Sequence, residues 1–355
     1  MTKEVLRKNF IMPMLASIFL CALLIKNSEL AIGFVKKGME NCFLTVIPSL
    51  FPFMIISEML SESGILSFFG RFGERLSRRL FGLSNSASSA VILGLLLGFP
   101  MGTKALISLY DRGEISQSEL ERAIGFSGIP SFAFIVNAVG ISLMGNRRLG
   151  IALYISAISA AIISGIISKP RKLEPFLPRP QKPTTIKKGL SEIITGAISS
   201  ATNSTILLCA YVIFFSAVVG CISSGLGLMS ASGAFLGSFL ELSTGASSSA
   251  AIGGRLGTAL CGFTVGWSGL SVHFQTAALV GARVKSYFSY TLSKLLQGIL
   301  CSISALAFCY FDKLSFPAPA ETVSTLAPIF PAQYTAILLV FFIICALSST
   351  KRRFA

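Results

Sequence analysis

The chain has 355 residues, 53% hydrophobic and only 13% charged, and its mean hydropathy of +0.75 lies far outside the range of soluble domains. The formal net charge of +15 is carried by lysines and arginines gathered at the edges of apolar runs, where they act as topology signals rather than as a nucleic-acid surface. A single histidine and eight isolated cysteines speak against zinc chemistry and a Ser-His-Asp hydrolase, and no Gly-x-x-x-x-Gly-Lys-Ser/Thr loop is present.

Residues 9–25 form an apolar run behind Lys3, Arg7 and Lys8 with no small-residue cleavage site, so residues 1–26 are expected to be a retained membrane anchor. A first repeat follows over 27–168. It opens with a span at about 42–60 and continues with "GILSFFGRFGERLSRRLFG", whose arginines and apolar residues occupy different faces of an interfacial basic helix. Next come a segment interrupted at its middle (88–109, "GFPMGTK"), a polar loop "DRGEISQSELER", a second interrupted segment (117–144, "SGIPS") and a closing span (149–168). In the loop, Ser116 and Glu119 are spaced as a capping box.

A basic, proline-rich stretch at 169–189 reads as an extended solvated linker on the cytoplasmic side. The second repeat, 190–311, runs through the same series: a span at 203–222, interrupted segments at 232–251 ("ELSTG") and 257–282 ("WSGLS"), and a closing span at 286–311. Residues 312–355 supply an extracytoplasmic loop, a last span at about 332–349 and a basic tail.

The repeat is legible in the residues themselves. "LGLLLGFPMG" (93–102) matches "LGSFLELSTG" (236–245), "IGFSGIPSFAF" resembles "CGFTVGWSGLSVHF", and "IALYISAISAAIISGII" (151–167) parallels "YFSYTLSKLLQGILCSI" (287–303). With each first interrupted segment folded back as a re-entrant hairpin, each half crosses the membrane three times and the second half is inverted. The fold expected is an all-α polytopic membrane protein, an inverted repeat with two re-entrant helical hairpins, two broken helices and about eight crossings. That count puts Lys3, Arg7 and Lys8, the linker, and Lys351, Arg352 and Arg353 on the cytoplasmic side, with Lys36, Lys37, Arg147 and Arg148 as exceptions.

Backbone leaves the helix at membrane depth only where protein or a wet cavity receives its polar groups. Four paired breaks are therefore expected to meet near the bilayer midplane as a transport site. The candidates are Gly98, Pro100, Gly102, Thr103 and Lys104 at the first break, and Ser127, Gly128, Pro130 and Ser131, with Asn137 beyond them, at the second. Glu241, Ser243, Thr244 and Gly245 mark the third, and Ser268, Gly269, Ser271, His273 and Gln275 the fourth.

A broken helix presents free amides at its tip, which suits a carboxylate or phosphate. Lys104 either adds charge to such a site or snorkels to the interface. Glu241 either couples a cation or proton, contacts the substrate, or pairs with Arg255. Trp267, inside the fourth break, is expected to line the cavity, while Ser131 and Asn137 either line it or bond between helices. The expected partners are the bilayer, a small-molecule anion and a coupling ion, Na+ or H+. No nucleic acid, cofactor or metal is expected, and association into a homo-oligomer is left open.

Taken together, "GFPMGTKALISLYDRGEISQSELERAIGFSGIPSFAF", "LELSTG" and "GWSGLSVHFQ" resemble the YlbJ/SpoVV-type sporulation integral membrane proteins, which carry a nucleoside-recognition or gate type of repeat. The resemblance covers about residues 30 to 310. It implies an architecture like that of concentrative nucleoside transporters and, from the sporulation branch, movement of dipicolinic acid across the outer forespore membrane. A carrier of a small organic anion is thus the leading expectation. A nucleoside-type carrier and a non-transporting scaffold for spore-envelope assembly are the alternatives; no nucleophile, base and orienting group come together to suggest an enzyme.

Overall fold

A computed structural model describes residues 3–62, 77–170, 189–228 and 230–311. Most of the expected interfacial helix, most of the linker and the last span lie outside these residues. Among the described residues every element is helical, and the all-α membrane architecture expected is the one found.

Helix α1 (Lys3–Lys26) leads into a continuous helical run made of α2 (Ser28–Asn41), a π-helical turn (Cys42–Val46) and α3 (Ile47–Glu62). Its counterpart in the second half is α9 (Leu190–Gly225). Both runs begin well before the expected spans at 42–60 and 203–222. No proline interrupts either approach, and once a helix is nucleated each added residue gains a hydrogen bond.

The two opening runs also pack along each other. The Phe34 ring lies over Gly220, and Gly38 faces Ser216, where a Cβ on residue 38 would come within 3.1 Å of the Ser216 Cβ. Phe34 and Gly38, four apart on one helix, thus meet Gly220 and Ser216, four apart on the other, a close fit that small residues on both helices permit.

Each half then continues in the same order. The first has a hairpin of α4 (Asn85–Leu97) and α5 (Met101–Asp111), a broken helix of α6 (Gln117–Ser127) and the π-helical α7 (Ala133–Leu143), and a closing α8 (Arg147–Ile167). The second has a hairpin of α10 (Ser230–Leu240) and α11 (Leu242–Ile252), a broken helix of α12 (Gly254–Trp267) and α13 (Gly269–Val280), and a closing α14 (Phe288–Phe311).

Among the described residues, the runs Ser28–Leu60, Arg147–Ile167, Leu190–Gly225 and Phe288–Phe311 are long and apolar enough to cross a bilayer. Their outer faces are apolar and uncovered: Leu44 is 78% exposed and Ile206 63%. A surface of this kind is stable against lipid tails and not against water.

The halves share their interior. One apolar cluster joins Leu106, Leu120, Ile124 and Phe126 of the first half to Tyr287 and Tyr290 of the second. Another joins Leu149 and Leu153 to Cys261, Val265 and Cys301. Neither half could bury its apolar faces alone.

At the polar end, Ser116 Oγ accepts the Glu119 amide at 3.1 Å, as the capping-box spacing predicts. The reciprocal bond is replaced: the Glu119 carboxylate accepts the amide of Ser84, the residue that caps α4. One carboxylate therefore joins two helix starts. Nearby, Arg283 makes a two-pronged ion pair with Asp111, at 2.7 and 2.8 Å. Gln117 donates to the Arg283 carbonyl at 3.0 Å, and the Glu121 carboxylate accepts the Lys285 amide. This strap fastens the loop after the first hairpin to the loop after the second broken helix.

The hydrogen bonds from Arg283 hold the Asp111 carboxyl below its ordinary range. A carboxyl lowered in the folded state stabilises above its unfolded pKa and loses that contribution as pH falls through the folded value. Both side chains are well exposed, so the pair contributes less than about 1 kcal/mol. Asp111→Asn should lower the melting temperature slightly at pH 7, and the difference from wild type should shrink as pH falls through the lowered carboxyl value, a convergence that thermal unfolding in detergent across an acid pH series will read.

Candidate functional site

The four breaks come together, and they do so in two layers. In the first half the α4–α5 arms close through Gly94 and Gly102, where a Cβ on Gly102 would lie 2.6 Å from the Gly94 Cα. The tip residue Gly98 has φ +84° and sits on Ser131, 2.6 Å from its backbone by the same construction. Phe99 donates its amide to the Ile129 carbonyl at 2.8 Å, so the hairpin tip supplies a backbone partner to the unwound stretch of the broken helix.

The second half repeats the arrangement with different chemistry. Gly245 closes the α10–α11 arms against Ser238, and Gly269, at φ +73°, lies over Glu241 and Leu242, where a Cβ would meet the Leu242 nitrogen at 2.8 Å. Ser268 is left-handed at φ 68°, a conformation that costs a non-glycine residue about 1–2 kcal/mol and is kept where neighbours enforce it. The close fit of the third break beneath it is that neighbour.

Glu241 interrupts the second hairpin by capping its own next helix. Its carboxylate accepts the Ser243 amide at 3.0 Å and the Thr244 amide at 2.6 Å, and the residue is 1% exposed. The expected alternative, a pair with Arg255, does not form: Arg255 is exposed at the start of α12. Two free amides at a helix N-terminus already stabilise the carboxylate there.

Between the layers lies a cavity of about 490 Å³ including its mouth. Its polar lining comes from Ser131, Glu241, Ser243, Ser268 and Gln275, with Pro130 beside them. All were candidates from the sequence, and all four breaks reach the cavity, the first through Phe99. The apolar wall is Phe99, Phe134, Leu242 and Val272, together with Val46, Leu50, Leu208 and Val212 from the opening helices. Among the described residues no lysine, arginine or histidine lines it.

Other candidates stand outside the cavity and act on its frame. Gly98, Pro100, Gly102, Gly245 and Gly269 shape the tips. Thr244 donates its amide to Glu241 and shares a hydroxyl bond with Ser216 at 2.9 Å. Thr103, Ser127 and Ser271 are buried with hydroxyls that have no hydrogen-bond partner among the described residues, and the Gly128 carbonyl accepts Lys294.

Four candidates lie outside the cavity lining. Lys104 does not face the cavity: its ammonium is bound to Glu58 at 2.6 Å, Ser204 at 2.8 Å and Ser200 at 3.3 Å, and Glu58 also accepts Ser200 at 2.7 Å. A cation near carboxylate and hydroxyls is neutralised where it stands. His273 is buried with Nδ1 on the Gly269 carbonyl at 2.8 Å and its ring 4.2 Å from that of Trp267. Trp267 is core, its indole N–H donating to the Phe239 carbonyl at 2.8 Å amid Phe215, Leu236 and Leu270. Asn137 is exposed and is not among the residues that line the cavity.

The sequence is similar to known proteins. Residues 43–168, which span the first hairpin and broken helix, match the family described as Gate: nucleoside recognition. The expected resemblance is borne out further: the chain is similar to the sporulation integral membrane protein YlbJ of Bacillus subtilis (strain 168), at 26% identity over 330 residues, covering 81% of this chain and 79% of that protein. A solved structure of a CNTnw variant in an outward-facing state superposes with a TM-score of 0.45 at 12% identity, covering 84% of this chain and 87% of that one.

The Lys104–Glu58 pair is partly buried, with 26% and 11% of the side chains exposed. Lys104→Met should strand Glu58 and cost about 1–2 kcal/mol, and adding Glu58→Gln should return most of it, because removing both charges is cheaper than removing one. Thermal unfolding of the single and double variants in detergent will show this sign of coupling.

Proposed function

We propose that the protein is a membrane carrier whose cavity takes a small neutral solute bearing a ring and several hydroxyl or amide groups, the chemistry of a nucleoside. One observation carries this reading: the cavity gathers a carboxylate, an amide, three hydroxyls and two phenyl rings at four helix breaks, and among the described residues no cationic side chain lines it. Carboxylate and amide groups suit sugar hydroxyls and base edges, and Phe99 and Phe134 offer faces for a ring.

An organic dianion such as dipicolinate fits this lining poorly. It would meet Glu241 without a compensating charge, since Lys104 is held by Glu58. The Gate description, which speaks of nucleoside recognition, agrees with the neutral-solute reading.

In this proposal the halves insert with opposite orientation and their hairpins exchange access to the cavity from the two faces. A coupling ion, Na+ or H+, and placement in the outer forespore membrane are parts of the same proposal, the second carried only by the likeness to a sporulation protein.

Uridine and adenosine should raise the melting temperature of the purified protein by several degrees, since a ligand at about 100 times its Kd adds about 2.7 kcal/mol. Gln275→Ala and Glu241→Gln should abolish the shift, and dipicolinate should give none. A shift with dipicolinate and not with nucleosides would return the site to the organic-anion reading, and none with either would favour a scaffold.

A further inference from the structure

Away from the cavity, the densest buried polar chemistry lies where α14 passes the break between α6 and α7. Lys294 stands inside that apolar span with none of its surface exposed. Its ammonium donates to the Gly128 carbonyl and to Gln297 Oε1 at 3.4 Å, and among the described residues no carboxylate pairs with it. Its neighbours on α14 serve the same helix end: Ser293 Oγ and Gln297 Nε2 donate to the Gly125 carbonyl at 3.0 and 2.8 Å. The approach at residue 125 is close: a Cβ there would stand 3.0 Å from Ser293 Oγ.

A helix that stops inside a membrane leaves its last carbonyls unpaired and carries about half a negative charge at that end. A lone ammonium buried in hydrocarbon is costly and persists only with compensation. At the end of α6 the two problems meet and cancel.

The repeat shows that the clamp is not a requirement of the fold. In the alignment of the closing helices, Ser293, Lys294 and Gln297 correspond to Ala157, Ile158 and Ala161 of α8. The break that follows α12 instead uses its own residues, with Ser268 Oγ on the Val265 carbonyl at 3.3 Å and His273 on Gly269.

We propose that the break between α6 and α7 is a monovalent-cation site that the chain fills with its own side chain. The Lys294 ammonium is a tethered cation, and the Gly128 carbonyl and Gln297 Oε1 are its ligands. The first half therefore needs no dissociable cation at this position. This holds whatever solute the cavity takes.

The test compares wild type, Lys294→Ala and Lys294→Met in detergent, in choline, sodium and ethylammonium chlorides at equal ionic strength, reading melting temperature and monodisperse yield. Wild type in each salt is the reference against which the variants are read, since a coupling ion bound elsewhere would act on all three proteins alike. Lys294→Ala should lose several degrees in choline and recover at least half of that in ethylammonium or sodium, because the emptied site admits a free cation. Lys294→Met should lose as much and recover in none, because its side chain fills the space without charge. A variant that fails to fold is scored by whether yield returns with the added cation. Lys294→Ala unimproved by either cation, or Lys294→Met as stable as wild type, would overturn the proposal.

Discussion

Hydrocarbon cannot hydrogen-bond a peptide group, and this constraint governs the structure. Unbroken helices satisfy themselves, whereas the four interruptions cannot, so every one of them is buried against protein. The solution is pairwise. Phe99 lends its amide to Ile129, and Gly98 lies on Ser131. Gly269 lies on Glu241 and Leu242, while Glu241 occupies the amides of Ser243 and Thr244. A polar cavity follows, because groups that need partners have been collected in one place.

The two halves meet the constraint with different chemistry. In the second, an acidic cap serves the amino end of a helix; in the first, a basic side chain from the other half serves a carboxyl end. Each charge has the sign that its helix end favours. Lys104 and Glu58 add a third device, a pair in which two partly buried charges cancel and fasten the first hairpin to α3 and α9 through Ser200 and Ser204. Among the described residues Glu241 is the one acidic or basic side chain that lines the cavity.

Much of this arrangement is visible in the amino acids. Proline and glycine clusters inside apolar runs marked the breaks, and their recurrence at matching places paired them, because backbone needs are written in residues with special dihedrals. The cavity's apolar wall was not visible: Val46, Leu50, Leu208 and Val212 sit in uninterrupted apolar runs where a lipid-facing and a cavity-facing residue look the same. Direction was the other loss. Lys104, His273 and Trp267 lie beside breaks in the chain, but a helix turns each neighbour by about 100°, and these three point into packing or a pair. Lys294 carried a signal that went unread, a lysine and a glutamine inside a span, the usual mark of buried function in a membrane.

The clamp on the first break also has a consequence for biogenesis. Lys294 follows Gly128 by 166 residues, and at ordinary rates of translation that separation takes on the order of ten seconds or more. Throughout that interval the nascent first half has an uncompleted helix end, which water or the insertion machinery has to shelter until α14 arrives. Maturation is therefore a late event, completed by the last described helix and not by the sequential settling of two independent units.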